Sequence, residues 1–502
     1  MHALMLAVWA TSAWGGPLRY AEDRAPGIVN PLFTTTMSEA RINELLFEGL
    51  FADDFELRST GRLAESFTVA EDLRSMTIRL RRDVVWHDGD GFDAQDVVFS
   101  INAYKDPATA SSEAGRVSWI TKAIVQDPYT VHLEFANPEY APQNKLQFKI
   151  LPSHRFPSTS IKRTDGFRTQ PIGTGPFKFE SFNGDNSITL KRNDRHWSAA
   201  KLTEIAMREV SDKNYQARLL VYESLEALVQ VLPRDLATLE NDRKVELYPY
   251  QTNSWWYFGL NQRPHRSLSS ARVREALALM INVDQLLEPI GTGDRVSGPF
   301  VRSSPFYNHD VPPLTRDPDR GAELLTEAGY TRPGQSWIGP DGKELRLKLV
   351  TLSNLDTAMD VVINVQSQLA ELGVTIEPEF LGIAEYRERV WRDHDFDIIL
   401  SQWSFDRSEE IYEQFHSDGS RNFIGYHNAG VDDLLEKAKL AADPQQKKAL
   451  LRDVHARIAK DHPMVFLWTL DNYAALSTRV QNVSMIHPFY FFTWASDWVF
   501  GQ

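Results

Sequence analysis

Two hydrophobic periods alternate along this chain. Met76, Ile78 and Leu80 are apolar while Thr77, Arg79 and Arg81 are polar, a period of two that gives a strand one buried face. Val131-His132-Leu133-Glu134-Phe135 repeats that period. Between these strands, His87-Asp88-Gly89-Asp90-Gly91 supplies turn residues, and Asp93 stands at the N-cap of a helix carrying Val97, Val98 and Ile101 inward. Nearer the start, Thr36 and Glu39 have capping-box spacing ahead of the apolar stripe Ile42, Leu45 and Leu46.

The second half alternates more regularly. A helix from Ala271 to Ile281 has Ser270 as its N-cap, and Asp317 caps another that opens on Pro318 and ends at Gly329. Then follow a strand from Leu345 to Val350, a helix bearing Val361, Val362, Val365 and Leu369 that ends at Gly373, and a strand from Val374 to Phe380. A helix from Tyr386 to Trp391, a strand from Phe396 to Gln402 and a helix after Asp406 continue the series, and one long helical region spans Val431 to Asp461. Strands and helices in this order predict an α/β sheet layered by helices.

Composition narrows the classes. The 502 residues suffice for about three domains of ordinary size. A net charge of −14 argues against nucleic acid or an anionic membrane as partner, since both need basic patches. No cysteine is present, which excludes disulfides, thiolate metal sites, cysteine nucleophiles and a lipid-modified N-terminal cysteine. Residues 1–15 combine a short apolar run, Ala3 to Ala10, with small residues after it, and are expected to be a secretory signal although Met1-His2 lacks a basic residue. The expected mature protein is a soluble periplasmic monomer without a lipid anchor.

Catalytic motifs are missing. Neither H-E-x-x-H nor G-x-S-x-G occurs, so a secreted hydrolase has little support; paired carboxylates for glycoside cleavage meet only in a fold. Asp88-x-Asp90 fails as a calcium loop because Phe92 and Asp93 occupy positions that loop needs. Thirteen histidines lack metal-ligand spacing, and no cofactor, metal or catalytic residue is expected.

Several motifs in order resemble the family 5 extracellular solute-binding proteins, which serve ABC importers. They are Leu63 to Ile101, Pro171-Ile172-Gly173-Thr174-Gly175-Pro176-Phe177, Asn193-Asp194-Arg195-His196-Trp197, Trp255 to Asn261, and Arg272-Val273-Arg274-Glu275-Ala276-Leu277. Gly173 and Gly175 are expected to hold backbone conformations closed to other residues. One departure stands out: a glycine belongs in the turn at Val221 to Glu226 and none is there. The resemblance implies a two-lobed α/β periplasmic-binding-protein fold, type II-like, with a ligand cleft between lobes. It divides the chain into residues 16–46, 166–254 and 476–502 as the core of lobe I, 47–165 as an extra subdomain of that lobe, and 255–475 as lobe II.

By the same resemblance the ligand is a small peptide and the membrane partner an ABC permease, with a nickel chelate or an oligosaccharide as alternatives on the same scaffold. The W-x-x-D run Trp403-Ser404-Phe405-Asp406 corresponds to the family's peptide site. Asp406 would accept the ligand's amine, Trp403 would wall the pocket, Ser404 would be a backbone partner for an extended peptide with Phe405 beside it, and Arg407 would either serve an acidic ligand group or be a solvated first-turn residue. Asp406 and Glu409 also have capping spacing, so Asp406 is either a cap alone or a cap and a ligand residue. Alternation turns at least one of Trp255, Trp256 and Tyr257 away from the core, toward a cleft, unless all are packed aromatics. Asn30 and Thr35 lie where the family's N-terminal loop approaches ligand.

Overall fold

The computed structural model describes residues 16–291, 293–355, 357–404, 409–441 and 443–501. The expected signal falls on residues 1–15, outside the described residues. Contacts divide the chain into two compact units. The first comprises the chain up to Asn137, Ala141–Tyr250, and everything from Tyr473; the second is Gln251–Asn472 with Pro138–Tyr140.

In the first unit, Leu18–Glu22 lies at the middle of a large mixed sheet, parallel to Glu204–Glu209 on one side and to Ala227–Leu228 on the other. Ile188–Arg192 and Phe177–Phe182 extend it by antiparallel pairing. A four-stranded antiparallel sheet, in the order Ala64–Val69, Ser75–Leu80, Thr130–Phe135, Ile120–Asp127, holds the two alternating strands read from sequence. Met76, Ile78, Leu80, Val131 and Leu133 are buried, and helix Ala94–Lys105 adds Val97 and Ile101 to the same core. Asp93 caps that helix and Asp96 returns the bond, the capping box that the sequence half displays. The core is continuous with the large sheet's, running from Leu18 to Trp498.

The second unit is built on five strands in the order Thr375–Leu381, Arg346–Leu352, Ile398–Ser404, Ser254–Leu260, Met464–Phe466. The first three are mutually parallel and the last two add antiparallel. Both faces are covered. Helices Ala271–Met280, Pro318–Glu327 and Ala358–Glu371 bury one face, and Ala429–Leu440 and Pro444–Asp461 contribute to the core on the other.

Some expectations need correction. The helical region from Val431 to Asp461 is two helices, Ala429–Leu440 and Pro444–Asp461, because Asp443 accepts from Gln445 and Gln446 N–H and Pro444 opens a new first turn. Ser270 makes no side-chain cap; Arg274 N–H bonds its carbonyl instead. Beyond Tyr386 the helix Ile383–Tyr386 widens to a π-helix over Arg387–Arg392. The helix after Asp406 is only Tyr412–Phe415. Glu409 has φ 47°, outside the right-handed helical region, and Asp406, read as a cap, lies outside the described residues.

Candidate functional site

The motifs that carry the resemblance converge in the first unit. Asn193 Nδ2 donates to the Gly175 carbonyl (3.1 Å), and His87 clasps the same loop, with Gly173 N–H donating to Nδ1 (3.1 Å) and Nε2 donating to the Gly175 carbonyl (3.1 Å). Burial among these partners pushes His87 down to about 4, so it is a neutral imidazole fixed in one tautomer. Gly173 and Gly175 do not take left-handed φ, contrary to expectation. They are glycines because a Cβ would stand 1.8 Å from the Leu46 carbonyl oxygen at 173 and 2.5 Å from that of Leu45 at 175.

Next to the clasp, buried Glu48 receives His196 Nε2 (3.1 Å) and Arg62 Nε (2.5 Å). Burial alone would raise its carboxyl, but the Arg62 charge and the hydrogen bond from His196 hold it at about 2. Trp197 lies under both Arg62 (4.8 Å) and Arg81 (3.9 Å), tying the same strands together. Asn193, His87, His196 and Arg62 are engaged with the glycine loop and with Glu48. They fix the scaffold.

The carboxyl end of Ile398–Ser404 in the second unit is different in kind. Open α/β sheets receive ligands beyond the carboxyl ends of strands. Trp403 is half-buried with the Arg421 guanidinium 5.7 Å from its ring, and Ser404 is exposed opposite Ser254. Phe405, Asp406 and Arg407 lie outside the described residues. Immediately after them, the Glu409 carboxylate turns inward to Ser304 Oγ and Asn253 Nδ2 (3.3 Å). Burial raises its carboxyl above the usual range against the pull of those two donors, and neither partner carries charge. Beside it, Gln402 donates to Ser254 Oγ (2.9 Å), itself 2.7 Å from Thr252 Oγ1.

This polar group was not legible from the sequence. Glu409 is 105 residues from Ser304 and 156 from Asn253, and no spacing rule links them.

The aromatic run preceding it follows the packed reading and not the cleft reading of its rings. Trp255, Trp256 and Tyr257 are all at most 3% exposed. Trp255 and Tyr257 enter one core and Trp256 the other, since both faces of Ser254–Leu260 are covered. Alternation therefore turns no ring to solvent. A continuous apolar strand of this kind is the pattern of two-sided burial. Asn30 is buried and caps the short turn Pro31–Phe33 by accepting from Leu32 N–H (3.0 Å). Thr35 is exposed, and its N–H (2.7 Å) and hydroxyl (3.1 Å) both donate to Glu39 Oε2.

Two other places have concentrated polar chemistry. A surface cavity of about 360 Å³ in the second unit lies between Arg263, His394, Asp418, Asn422 and the stacked pair Trp391 and Phe423. Among the described residues, Asp88, Asp90 and His154 bring ligand atoms within 4.8 Å of one another. They are exposed, His154 Nε2 is 2.9 Å from Asp88, and Arg155 stands 3.8 Å from the same carboxylate. The Asp88 carboxylate is satisfied by the His154 hydrogen bond and the Arg155 ion pair. No helix among the described residues is long and apolar enough to cross a membrane.

The family model described as bacterial extracellular solute-binding proteins, family 5 Middle, matches residues 59–423. The oligopeptide-binding protein AppA of Bacillus subtilis is 24% identical over 495 residues, 94% of this chain and 90% of its own. The glutathione-binding protein GsiB of Escherichia coli K12 is 26% identical over 446 residues, 86% of this chain and 84% of its own. Among solved structures, AppA in complex with a nonapeptide superposes with a TM-score of 0.81 at 23% identity, covering 98% of this chain and 100% of that one. NikA from Brucella suis in complex with Fe(III)-EDTA superposes at 0.87 and 21% identity, covering 97% and 100%.

Proposed function

This chain belongs to the family 5 bacterial extracellular solute-binding proteins, and we propose that it is the capture component of an ABC importer, binding small peptides outside the membrane and passing them to the permease. The observation that carries the reading is the end-to-end match to an oligopeptide-binding protein, with 94% of this chain aligned. The polar group at the end of Ile398–Ser404 supports it. On this reading the loop from Trp403 to Arg407 receives the peptide amine through Asp406, with Trp403 as an aromatic wall and Ser404 as a main-chain partner. Glu409, anchored on Ser304 and Asn253, holds the far end of that loop. Trp255, Trp256 and Tyr257 support the strand from within. No residue is assigned a catalytic role. Domain closure on ligand would follow the population-shift logic of hinged binding proteins, the ligand favouring whichever state it binds better.

Native mass spectrometry of the protein with a random pentapeptide pool, N-terminally free or acetylated, tests the assignment. Retention of the free-amine pool is expected, and Asp406→Asn should lower it about tenfold, the worth of one charge-assisted bond. Equal retention of free and acetylated pools would remove the amine site. A retained metal chelate or sugar, with no peptide in either pool, would replace the peptide reading altogether.

A further inference from the structure

In the first unit three parallel strands end together, and the polar groups at that end have donors to spare. The chain leaves Glu204–Glu209 through helix Lys213–Val221 and returns as Ala227–Leu228 on the far side of Leu18–Glu22. Such a crossing puts the carboxyl ends of the strands where doubly wound sheets receive ligands. Tyr20 and Glu22, two positions apart on the central strand, share one face of the sheet and are 0% and 4% exposed.

Arg41, from helix Met37–Leu46, gives one corner of its guanidinium to Glu22: Nη1 donates to both carboxylate oxygens, at 2.9 and 2.8 Å. The side edge of the fork is unspent. Buried Nε has no partner, and no described residue bonds Nη2. The Tyr20 hydroxyl is also buried and unpartnered. It projects from the same face of the strand as Glu22, two positions away, and Glu22 holds Arg41. Burial holds the phenol in its neutral, donating form. The Tyr250 hydroxyl, by contrast, is spent on the Val229 carbonyl (2.9 Å).

An Arg41–Glu22 pair alone explains only the Nη1 corner. Three further donors, two of them buried, define an acceptor with two oxygens for the side edge of the fork and a lone pair for the phenol. Arg41 is already paired with Glu22, so recognition here would come from the direction of the free edge of its fork.

We propose that the Nε and Nη2 edge of Arg41 and the Tyr20 hydroxyl form a subsite for a carboxylate of the bound ligand, with Glu22 as the positioning residue that orients the guanidinium. Where that carboxylate is a peptide's, the proposal rests on the peptide reading above.

The test uses the full chain and a pentapeptide pool free of Asp and Glu, prepared as C-terminal acids and as amides, with succinate as a separate probe. The wild type should retain the acid pool about tenfold over the amide pool, the ratio expected of one charged hydrogen-bonded contact. Arg41→Lys preserves the charge opposite Glu22 but deletes the fork, and should bring the two pools level with thermal stability held. Tyr20→Phe keeps the ring against Phe492 and should lower acid-pool retention severalfold. Equal retention of acids and amides by the wild type, or an Arg41→Lys variant that still discriminates, overturns the subsite. If neither pool is retained, the peptide reading fails by itself and succinate decides: a melting shift in the wild type, absent from Arg41→Lys, upholds a carboxylate site, and no shift ends it.

Discussion

Glu223 sits at φ 57°, a left-handed conformation that costs an L-residue about 1 kcal/mol and glycine almost nothing. It is the residue after the C-cap of Lys213–Val221, where its N–H bonds the Leu220 carbonyl and Ser224 N–H bonds that of Leu219 (2.8 Å), a Schellman closure. The missing family glycine is thus missing from the sequence while its conformation remains. Two bonds keep the strained residue in place: Lys244 pairs with its carboxylate and Arg19 donates to its carbonyl (2.9 Å). Glu223→Gly should be neutral or stabilising by up to about 1 kcal/mol in urea unfolding, since the exposed pair to Lys244 is worth little. A loss beyond that would show that the Lys244 contact, and not the turn, governs this position.

At the scale of elements, what is local was readable and what is long-range was not. Thr36 with Glu39, Asp93 and Asp317-Pro318 announce their helices because a cap is written within four residues. Asp443-Pro444 carries the same signal as Asp317-Pro318, and reading it would have divided the long helical region correctly. In Ser254–Leu260 every residue is buried, so period two had nothing to report, and the unbroken apolar run was itself the sign of a covered central strand. The glycine loop shows the limit of local reasoning: Gly173 matters because of the Leu46 carbonyl oxygen, more than a hundred residues earlier in the chain. Gly173→Ala should cost about 3 kcal/mol or more, as backbone would have to separate from backbone. An Ala variant with an unchanged urea midpoint would mean that the loop and the Leu46 turn are not held in contact.

For the whole molecule, the consequence of these buried clusters is a specific response to acid. The first unit holds His87 and the second His455, each lowered by burial to about 4 from an ordinary value of 6.5. His455 is fully buried, 3.0 Å from Ser297 Oγ and edge-on to Tyr307. A group that binds its proton less readily when folded leaves stability untouched above pH 6.5. As pH falls from 6.5 to 4 the unfolded chain gains protons that the folded chain refuses, and each histidine can remove up to about 3 kcal/mol. Glu22, Asp96 and Glu409, raised by burial, work the other way as pH approaches 4.5 from above, because there the folded form binds protons more readily. Glu48, held at about 2, stabilises fully above 4.5 and is lost only as pH falls from 4.5 toward 2, so it takes no part in the first stage. Urea midpoints at pH 7.5, 6, 5 and 4.5 should therefore decline well before carboxylates titrate. His455→Asn keeps a polar partner for Ser297 without a titrating ring, and should flatten that decline while lowering stability at pH 7.5. If the wild-type midpoint is the same at pH 7.5 and 5, the buried imidazoles are not the neutral structural groups that their surroundings dictate.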